Sequence, residues 1–295
     1  MLDEVIIPLP ADVFRQIRDF INDYCGIYFD DKSKYILERR LNRRLKVRYL
    51  KDFRDYYRLL MYDSNRDDEL QTIIDILTVN ETYFFREQNQ LAAFSEEIIP
   101  ELKQKKKARK RIRVWSAGCS TGEEPYTIAM FVLEDKGLSD WSVDIVGSDI
   151  SRRVLRVARD GVYKKNSFRT TSPYFVHTYF KDMNDGTHRV SDRVRSLVNF
   201  NCLNLLDPFK VKLVGKVDVI FCRNVLIYFD KSSRIKVIEH FFDLLNDGGY
   251  LLLGHSESLI NLSTAFTLKH LKNDLVYQKP VASSKKGKSV KGHSK

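Results

Sequence analysis

The chain has 295 residues, 43% of them hydrophobic, and a formal net charge of +11, which is enough material for two compact domains. No apolar run approaches the roughly 20 residues of a membrane-spanning helix, and the acidic start Met1–Glu4 is unlike a signal peptide. We therefore expect a cytoplasmic protein without direct membrane insertion. The four cysteines and six histidines are dispersed, so no metal site or disulfide framework is expected.

The positive charge is concentrated in three segments rather than spread over the chain. Residues 32–58 contain eleven basic residues against three acids, residues 103–113 contain eight and no acid, and residues 283–295 contain five lysines. Together they exceed the net charge, so the remainder of the chain is acidic. Local basicity of this kind indicates docking surfaces or solvated segments.

Residues 11–77 are predicted to be helical, because apolar residues such as Val13, Ile17, Leu41 and Leu45 recur at three- and four-residue steps. We assign an all-helical bundle domain to residues 1–85. Residues 86–111 then form a linker and connecting helix. The run 103–111 within it has almost no apolar content and is predicted to be an exposed connector.

From residue 112 strand and helix signals alternate, which predicts an open, mostly parallel α/β sheet over residues 112–280. Ser151 is a candidate N-cap for a helix running to Arg159. A helix over 235–245 is predicted to end at the Asn-Asp-Gly-Gly run that begins at Asn246. The polar segment 170–195, with a turn at 184–186, interrupts the alternation of strand and helix signals. It therefore indicates an inserted antiparallel element. Residues 281–295 have the composition of a disordered Lys-rich tail.

A glycine turn follows the first predicted strand, with Gly118 and Gly122 in G-x-x-x-G spacing before Glu123 and Glu124. A pyrophosphate site would need a different spacing, and two carboxylates would repel phosphate while accepting a cation or hydroxyl groups. A plain helix-capping loop is the alternative. Asp149 ends the second strand, where an acid can bind a ribose diol or simply cap the next helix.

Six motifs in order carry a resemblance to a known family. They are Asn80–Glu87 (NETYFFRE), Trp115–Tyr126, Ser148–Ile150, Asn204–Leu206, Phe221–Asp230 and Gly254–Glu257. In this order the chain resembles the CheR family of chemoreceptor glutamate methyltransferases. The resemblance implies a Rossmann-like class I methyltransferase sheet with a small antiparallel β insertion, preceded by an N-terminal helical bundle.

The resemblance also implies roles for particular residues. S-adenosylmethionine would be the cofactor and S-adenosylhomocysteine the product, with no metal. Arg86 and Tyr228 are the candidate catalytic residues that orient a substrate carboxylate. The candidate cofactor-binding residues are Asn80, Thr82, Arg86, Gly118, Glu124, Asp149, Asn204, Leu205, Arg223 and Asn224. Without the resemblance, Arg86 could merely pair with a nearby acid, and Tyr228 could be a core aromatic residue.

The basic helix around residues 37–46 is a candidate docking surface or a solvated face. Arg39, Arg43 and Lys46 recur at i, i+4 and i+7, with Arg40 and Arg44 in a neighbouring row. The resemblance favours docking of the acidic helical region of bacterial chemoreceptors. It also allows a receptor C-terminal peptide to bind the β insertion by strand addition. A monomer is expected, and no nucleic acid partner.

Four other functions fit the sequence less well. A nucleic-acid methyltransferase would share the sheet, but no aromatic-flanked motif for base access is present. A non-enzymatic adaptor would not need Arg86 and Tyr228, and a dehydrogenase would need another glycine spacing. A hydrolase triad from His255, Ser256 and Glu257 is disfavoured because triad members converge from separate segments, so a structural hydrogen-bonding turn is predicted there.

Overall fold

The computed structural model describes residues 6–281, so all but Val281 of the predicted tail 281–295 lies outside the described residues. The helices are α1 (Ala11–Cys25), α2 (Lys34–Val47), α3 (Phe53–Tyr62), α4 (Arg66–Leu77), α5 (Gln88–Ala93), α6 (Ile99–Lys105), α7 (Glu123–Glu134), α8 (Arg152–Asp160), α9 (Pro173–Tyr179), α10 (Asp192–Arg195), α11 (Pro208–Lys212) and α12 (Lys231–Leu244). None of the helices formed by these residues combines the length and apolar character that a bilayer crossing requires.

The strands form two sheets. They are β1 (Arg111–Ala117), β2 (Ser142–Asp149), β3 (Val162–Lys164), β4 (Phe180–Asp182), β5 (Thr187–Val190), β6 (Val198–Cys202), β7 (Val217–Cys222), β8 (Leu245–Leu253), β9 (Thr267–His270) and β10 (Leu275–Gln278). The larger sheet has the order β6-β2-β1-β7-β8-β10-β9, and the smaller has the order β3-β5-β4.

The first four helices form the predicted bundle. α1 buries Val13, Ile17 and Ile21 and ends at Gly26, whose φ of 78° suits a left-handed C-cap. Asp52 begins α3 by accepting hydrogen bonds from the backbone N–H groups of Arg54 and Asp55. Apolar periodicity and capping residues therefore agree on these helices, as the sequence predicted.

A buried carboxylate holds the bundle together. Glu69 on α4 is fully buried and accepts hydrogen bonds from Arg44 (2.8 and 2.6 Å), Arg48 (2.7 Å) and the Tyr56 hydroxyl (2.6 Å). The spacing of Arg44 predicted a position on the docking surface. Its guanidinium instead turns inward and pairs with Glu69. Its partner lies 25 residues away in sequence, beyond the reach of a helical-periodicity argument.

Replacing Glu69 should destabilise the bundle. We expect Glu69→Ala to lower the free energy of unfolding by about 2–3 kcal/mol, below the usual cost of breaking a buried pair because both arginines retain some exposure to water. Denaturant unfolding at pH 7 measures this. Asp67→Ala, which removes an exposed acid from the same helix, should stay within about 0.5 kcal/mol of the unmodified protein. Equal stability of both variants would contradict the expectation.

The same carboxylate makes stability depend on pH. Burial opposes its ionisation, but the hydrogen bonds from Arg44, Tyr56 and Arg48 prevail and lower the pKa of Glu69 to about 2. Because the folded-state pKa is depressed, the stabilisation is fully present above the ordinary value near 4.5 and is lost as the pH falls towards 2. Acid unfolding of Glu69→Ala should therefore lack this contribution.

The larger sheet is parallel from β6 to β8 and antiparallel at β10 and β9. β1 lies between β2 and β7, with Ala117 level with Ser148 on β2 and Ser116 level with Phe221 on β7. The chain order reverses between β1 and β7, and ligands of open α/β sheets bind at the carboxyl ends of strands at such a point. The predicted fold is confirmed.

Three details differ from the prediction. The segment 103–111 begins within α6, which ends at Lys105, so it is partly helical. It is also not simply an exposed connector, because Lys103 pairs with Asp135 at 2.8 Å and Lys106 pairs with the buried Asp218 at 2.5 Å. α12 ends at Leu244 with an extended C-cap, and the glycines after it belong to β8, next to a register shift. The small antiparallel sheet includes β3, which precedes the predicted insertion at 170–195.

The bundle packs directly on the sheet domain. Bundle residues such as Ile17 and Leu41 belong to the same apolar cluster as Trp115 and Phe241. Ile27 forms an isolated antiparallel bridge with Phe229, and the Tyr28 N–H donates to the Tyr228 carbonyl at 2.9 Å. The helical domain is therefore attached at the carboxyl edge of the sheet, where ligands are expected.

Candidate active site

A cavity of about 310 Å³ lies at the carboxyl ends of β1, β2 and β7, beneath the bundle. It brings together every predicted catalytic and cofactor-binding residue, namely Asn80, Thr82, Arg86, Gly118, Glu124, Asp149, Asn204, Leu205, Arg223, Asn224 and Tyr228. These residues come from five separate chain segments. Their convergence is what the ordered motifs led us to expect, although lining a cavity does not by itself assign a role.

The glycine turn after β1 is held tightly against a second loop. Gly118 has a φ of 78°, and a Cβ there would lie 2.4 Å from a methyl group of Val225. Ser120 also adopts a positive φ of 50° without being glycine. Residues held in such strained conformations cluster at ligand sites. The turn is therefore more than a helix cap, since its backbone is pressed against the loop that carries Arg223 and Asn224.

The two carboxylates after the turn point in different directions. Glu124 accepts hydrogen bonds from the Ser116 hydroxyl and from Arg223 Nε, both at 2.6 Å, and lines the cavity. Glu123 is buried elsewhere and accepts from Thr121 (2.6 Å) and Ser167 (3.1 Å), and burial raises its pKa. The idea that both acids face the ligand is thus wrong, because successive helical residues lie about 100° apart.

Asp149 is held by the glycine turn and by the start of α8. Its carboxylate accepts from the backbone N–H groups of Ser120 (2.8 Å) and Ser151 (2.9 Å), and burial raises its pKa. The N-cap of α8 is Ser151, whose hydroxyl accepts from Val154 N–H at 3.3 Å. Ser151 and not Asp149 is therefore the N-cap residue, which confirms the prediction for Ser151, while the Asp149 carboxylate supports the turn just before α8.

The segment 80–86 crosses the cavity as an irregular strap. The Asn80 carbonyl accepts from the Ser120 hydroxyl at 3.0 Å, and the Arg86 carbonyl accepts from Arg223 Nη1 at 2.8 Å. The Arg86 guanidinium donates to the Glu81 carbonyl at 3.0 Å. Within residues 6–281 it forms no ion pair, which removes the alternative that it merely neutralises a nearby acid.

Tyr228 and Asn224 line the same cavity as the strap. Partial burial raises the pKa of Tyr228, so its hydroxyl stays protonated and able to donate near neutral pH. Asn224 adopts a φ of 59°, and its buried Oδ1 finds no hydrogen-bond partner among the described residues. A buried acceptor left open beside a cavity indicates a ligand that would satisfy it.

Asn204 and Leu205 lie at the far end of the cavity. Asn204 Nδ2 donates to the Tyr24 carbonyl at 2.6 Å, and its Oδ1 accepts from Leu206 N–H at 3.0 Å. The side chain of Asn204 therefore already shapes its loop, while the buried Leu205 supplies apolar surface. The Leu203 N–H donates to the Asp149 carbonyl, which ties this end to the centre of the site.

Glu257 was not among the predicted site residues, yet it supports them. Its buried carboxylate accepts from the backbone N–H groups of Asn224 (2.7 Å), Val225 (2.9 Å), Gly254 (2.8 Å) and Ile227 (3.3 Å). It fixes the loop between Arg223 and Tyr228. The predicted structural turn at His255–Glu257 is confirmed, and Glu257 is occupied in a way that a hydrolase triad would not permit.

Sequence reasoning also missed the wall that the bundle provides. Tyr28, Phe29, Ile36 and Leu77 line the cavity together with Arg40, whose Nη1 donates to the Leu77 carbonyl at 2.8 Å. No local pattern distinguishes Tyr28, Phe29, Ile36 and Leu77, because only the packing of the bundle brings them to the site. Arg40 was predicted for the docking surface, and it is half-buried and lines this cavity. On the outer face of α2, Arg39, Arg43 and Lys46 are exposed.

The residues present suit S-adenosylmethionine. Carboxylates at Glu124 and Asp149 could receive an ammonium group and a ribose diol, Leu205 offers an apolar surface for a base, and Asn224 retains an open acceptor. Among the described residues no cluster of three metal-type ligands occurs. The sheet order, the turn after β1 and this cavity define a methyltransferase of the Rossmann-like class.

Comparison with known proteins narrows the class. The family "CheR methyltransferase, SAM binding domain" matches residues 80–274, and "CheR methyltransferase, all-alpha domain" matches residues 12–78. Chemotaxis protein methyltransferase 2 of Vibrio cholerae is 38% identical over 94% of each chain. The chemotaxis protein methyltransferase of Salmonella typhimurium is 37% identical over 87% of each. The chain belongs to the CheR methyltransferase family and is an S-adenosylmethionine-dependent methyltransferase.

Proposed function

We propose that this enzyme methylates glutamate side-chain carboxylates on bacterial chemoreceptors in the cytoplasm, forming methyl esters and S-adenosylhomocysteine for chemotactic adaptation. The observation that carries the proposal is the Arg86 guanidinium, which lines the same cavity as Tyr228 and forms no ion pair within residues 6–281. A guanidinium can hold a carboxylate by two parallel hydrogen bonds. The relatives' printed names support the chemotactic role.

In this proposal the cavity residues divide between cofactor and substrate. Glu124 binds the amino-acid end of the cofactor and Asp149 the ribose. Leu205 and Asn204 flank the base, and Asn80, Thr82, Gly118, Arg223 and Asn224 complete the enclosure. Their positions around one cavity support this division.

The chemistry asks little of the protein beyond positioning. When bound, S-adenosylmethionine supplies an electrophilic methyl group on a sulfonium. A glutamate side chain has a reference pKa of about 4.3 and is already ionised at neutral pH, so no general base is needed. Arg86 and Tyr228 would orient its oxygen and exclude water, and positioning can contribute up to roughly 7–11 kcal/mol. They must not bind the carboxylate too tightly, because that would stabilise the ground state.

The partner in this proposal is the acidic helical region of a chemoreceptor. Exposed Arg39, Arg43 and Lys46 on α2 complement its charge, whereas Arg44 is withdrawn into the bundle. The small sheet exposes β4 as an edge strand, to which a receptor C-terminal peptide could add by β-augmentation. We propose that the enzyme acts as a monomer.

Removing the Tyr228 hydroxyl should have a moderate effect. We expect Tyr228→Phe to lower kcat about tenfold, since a hydrogen bond to a charged carboxylate contributes about 1.5 kcal/mol or more, and to leave S-adenosylhomocysteine affinity nearly unchanged. Steady-state kinetics and calorimetry measure the two quantities. Tyr174→Phe, which removes an exposed hydroxyl bonded to Glu134, is the matched control. A Tyr228→Phe variant with full kcat would remove Tyr228 from the catalytic pair.

The proposal is tested with cofactor labelled in the methyl group. Incubation with a receptor cytoplasmic fragment should label the fragment, and mild base should release the label as methanol, which identifies carboxyl esters. A fragment with its acceptor glutamates changed to alanine is the control. Labelling of RNA with none on the receptor fragment, or a base-stable label on the fragment, would overturn the proposal.

A further inference from the structure

A second cationic stripe runs along α8 of the methyltransferase domain. Arg152, Arg156 and Arg159 are exposed and recur at i, i+4 and i+7, the same spacing as Arg39, Arg43 and Lys46 on α2. In each helix the stripe spans about 10 Å, because seven residues rise 1.5 Å each. The opposite face of α8 buries Val154, Leu155 and Ala158. The stripe is therefore the outer face of a firmly packed helix.

Two of the three arginines in this stripe, Arg152 and Arg156, have side chains without a close partner in the described part of the chain. Arg153 and Arg159 donate to the carbonyls of Asp75 (3.3 Å) and Phe200 (3.1 Å). The side chains of Arg152 and Arg156 form neither a hydrogen bond nor an ion pair with any residue between 6 and 281, although they share a groove with Asp68 and Asp75. Like charges at i and i+4 on a helix are mildly destabilising. An external group of opposite charge would offset that cost.

The two stripes lie on either side of α4. On one side Ile76 shares a groove with Arg39 and Arg43 of α2. On the other side Asp68, Gln71, Thr72 and Asp75 share a groove with Arg152, Arg153 and Arg156. Packed helix axes are 8–10 Å apart, so the stripes are separated by roughly 16–20 Å. They form two basic rows with an acid-bearing ridge between them.

This arrangement favours one class of partner. A nucleic acid presents a continuous row of phosphates, which would meet the exposed carboxylate of Asp68 when it crossed the ridge. Asp75 on the same ridge is half-buried and accepts from the Ser151 hydroxyl at 2.6 Å. A helical protein presents carboxylates in separate clusters and leaves neutral surface between them. Two basic rows divided by an acidic ridge therefore match an acidic bundle of helices better than a polyanion.

We propose that the α8 stripe is a second contact for the same acidic helical receptor region that docks on α2. This inference rests on the proposed function. The receptor would lie across α4 and engage Arg39 and Arg43 with one cluster of acids and Arg152 and Arg156 with another. Two separate contacts fix the direction of an elongated partner, whereas one stripe alone would allow it to pivot. Contacts between exposed charges act mainly on encounter and register.

The test is the double charge reversal Arg152→Glu/Arg156→Glu in the full chain. We expect the KM for a receptor cytoplasmic fragment to rise at least tenfold at low salt, and the difference from the unmodified enzyme to shrink as ionic strength increases. The affinity for S-adenosylhomocysteine should equal that of the unmodified enzyme. Arg152→Gln/Arg156→Gln, which removes charge without reversing it, should raise KM by an intermediate factor, and this graded response separates electrostatics from misfolding.

The matched control is Lys212→Glu/Lys236→Glu, which makes the same change in net charge at exposed positions on α11 and α12. Its KM should stay within about twofold of the unmodified value. Equal KM values for the α8 variant and this control would overturn the α8 contact. So would an α8 variant that loses binding to RNA or anionic vesicles while its receptor KM is unchanged. If the unmodified enzyme fails to esterify the fragment at all, the proposed function itself fails.

Discussion

Glu124→Gln is expected to weaken S-adenosylhomocysteine binding about 100-fold. The carboxylate accepts hydrogen bonds from Ser116 and Arg223, and in the proposed division it also receives the ammonium group of the cofactor. An amide of the same shape removes the negative charge, so the buried Arg223, with 3% of its side chain exposed, loses its principal counter-ion. Charge-assisted hydrogen bonds contribute roughly 1.5–3 kcal/mol each, which sets the expected size. Isothermal calorimetry measures the affinity.

The neighbouring position provides a strict control. Glu123→Gln changes the same chemistry one residue away, but Glu123 faces Thr121 and Ser167 rather than the cavity. Because its pKa is already raised by burial, losing its charge should cost little, and the affinity should stay within about threefold of the unmodified value. A thermal melt of both variants shows how much folded protein each contains. Equal weakening by the two changes would show that Glu124 has no special place in the site.

Arg86→Ala is expected to retain the fold and lose methyl transfer by about 10²–10³-fold, the size seen when a preorganised donor is removed from a reacting group. The hydrogen bond that holds the strap is donated by Arg223 Nη1 and accepted by the backbone carbonyl of Arg86. Because the backbone is unchanged, this bond is kept in Arg86→Ala. Only the guanidinium and its bond to the Glu81 carbonyl are lost. The loss should fall mainly on kcat and receptor KM, measured by steady-state methyl transfer.

Two further variants sharpen this result. Arg169→Ala removes a nearby arginine that stacks on Tyr83 at 3.7 Å and pairs with Glu81 but does not line the cavity, so transfer should fall less than tenfold. Arg86→Lys keeps the charge without the two-pronged geometry and should recover only part of the rate. Full turnover by Arg86→Ala would exclude the guanidinium from the reaction and sink its proposed role.

The parts of the molecule that sequence predicted well depend on local chemistry. Apolar periodicity located the bundle helices, and Ser151 was identified as an N-cap because serine there satisfies backbone groups within three residues. Strand-end positions placed Gly118 and Asp149 at one edge, since parallel strands end at the same edge of a sheet, whereas Arg223 was implied only by the family resemblance. These inferences needed no knowledge of distant contacts.

The side-chain predictions that were wrong have a common cause. Whether Glu123 or Glu124 faces the ligand depends on how α7 is rotated against the sheet, and Arg44 turns inward because Glu69 happens to pack beside it. Lys106 was read as solvated, yet it meets Asp218 more than a hundred residues later. Each outcome is decided by a partner far away in sequence, and a charge pattern alone does not reveal whether such a partner exists.

The backbone junction between Ile27–Tyr28 and Tyr228–Phe229 bears on how this family can be re-engineered. The helical domain cannot be exchanged independently of the sheet domain. Its backbone pairs with the loop that bears Tyr228, and its own residues form part of the cavity wall. A chimaera that takes its bundle from a relative, in order to redirect the enzyme to another receptor, would therefore also acquire foreign residues in the reaction chamber. In the proposed docking arrangement, receptor choice and catalytic competence would be inherited together.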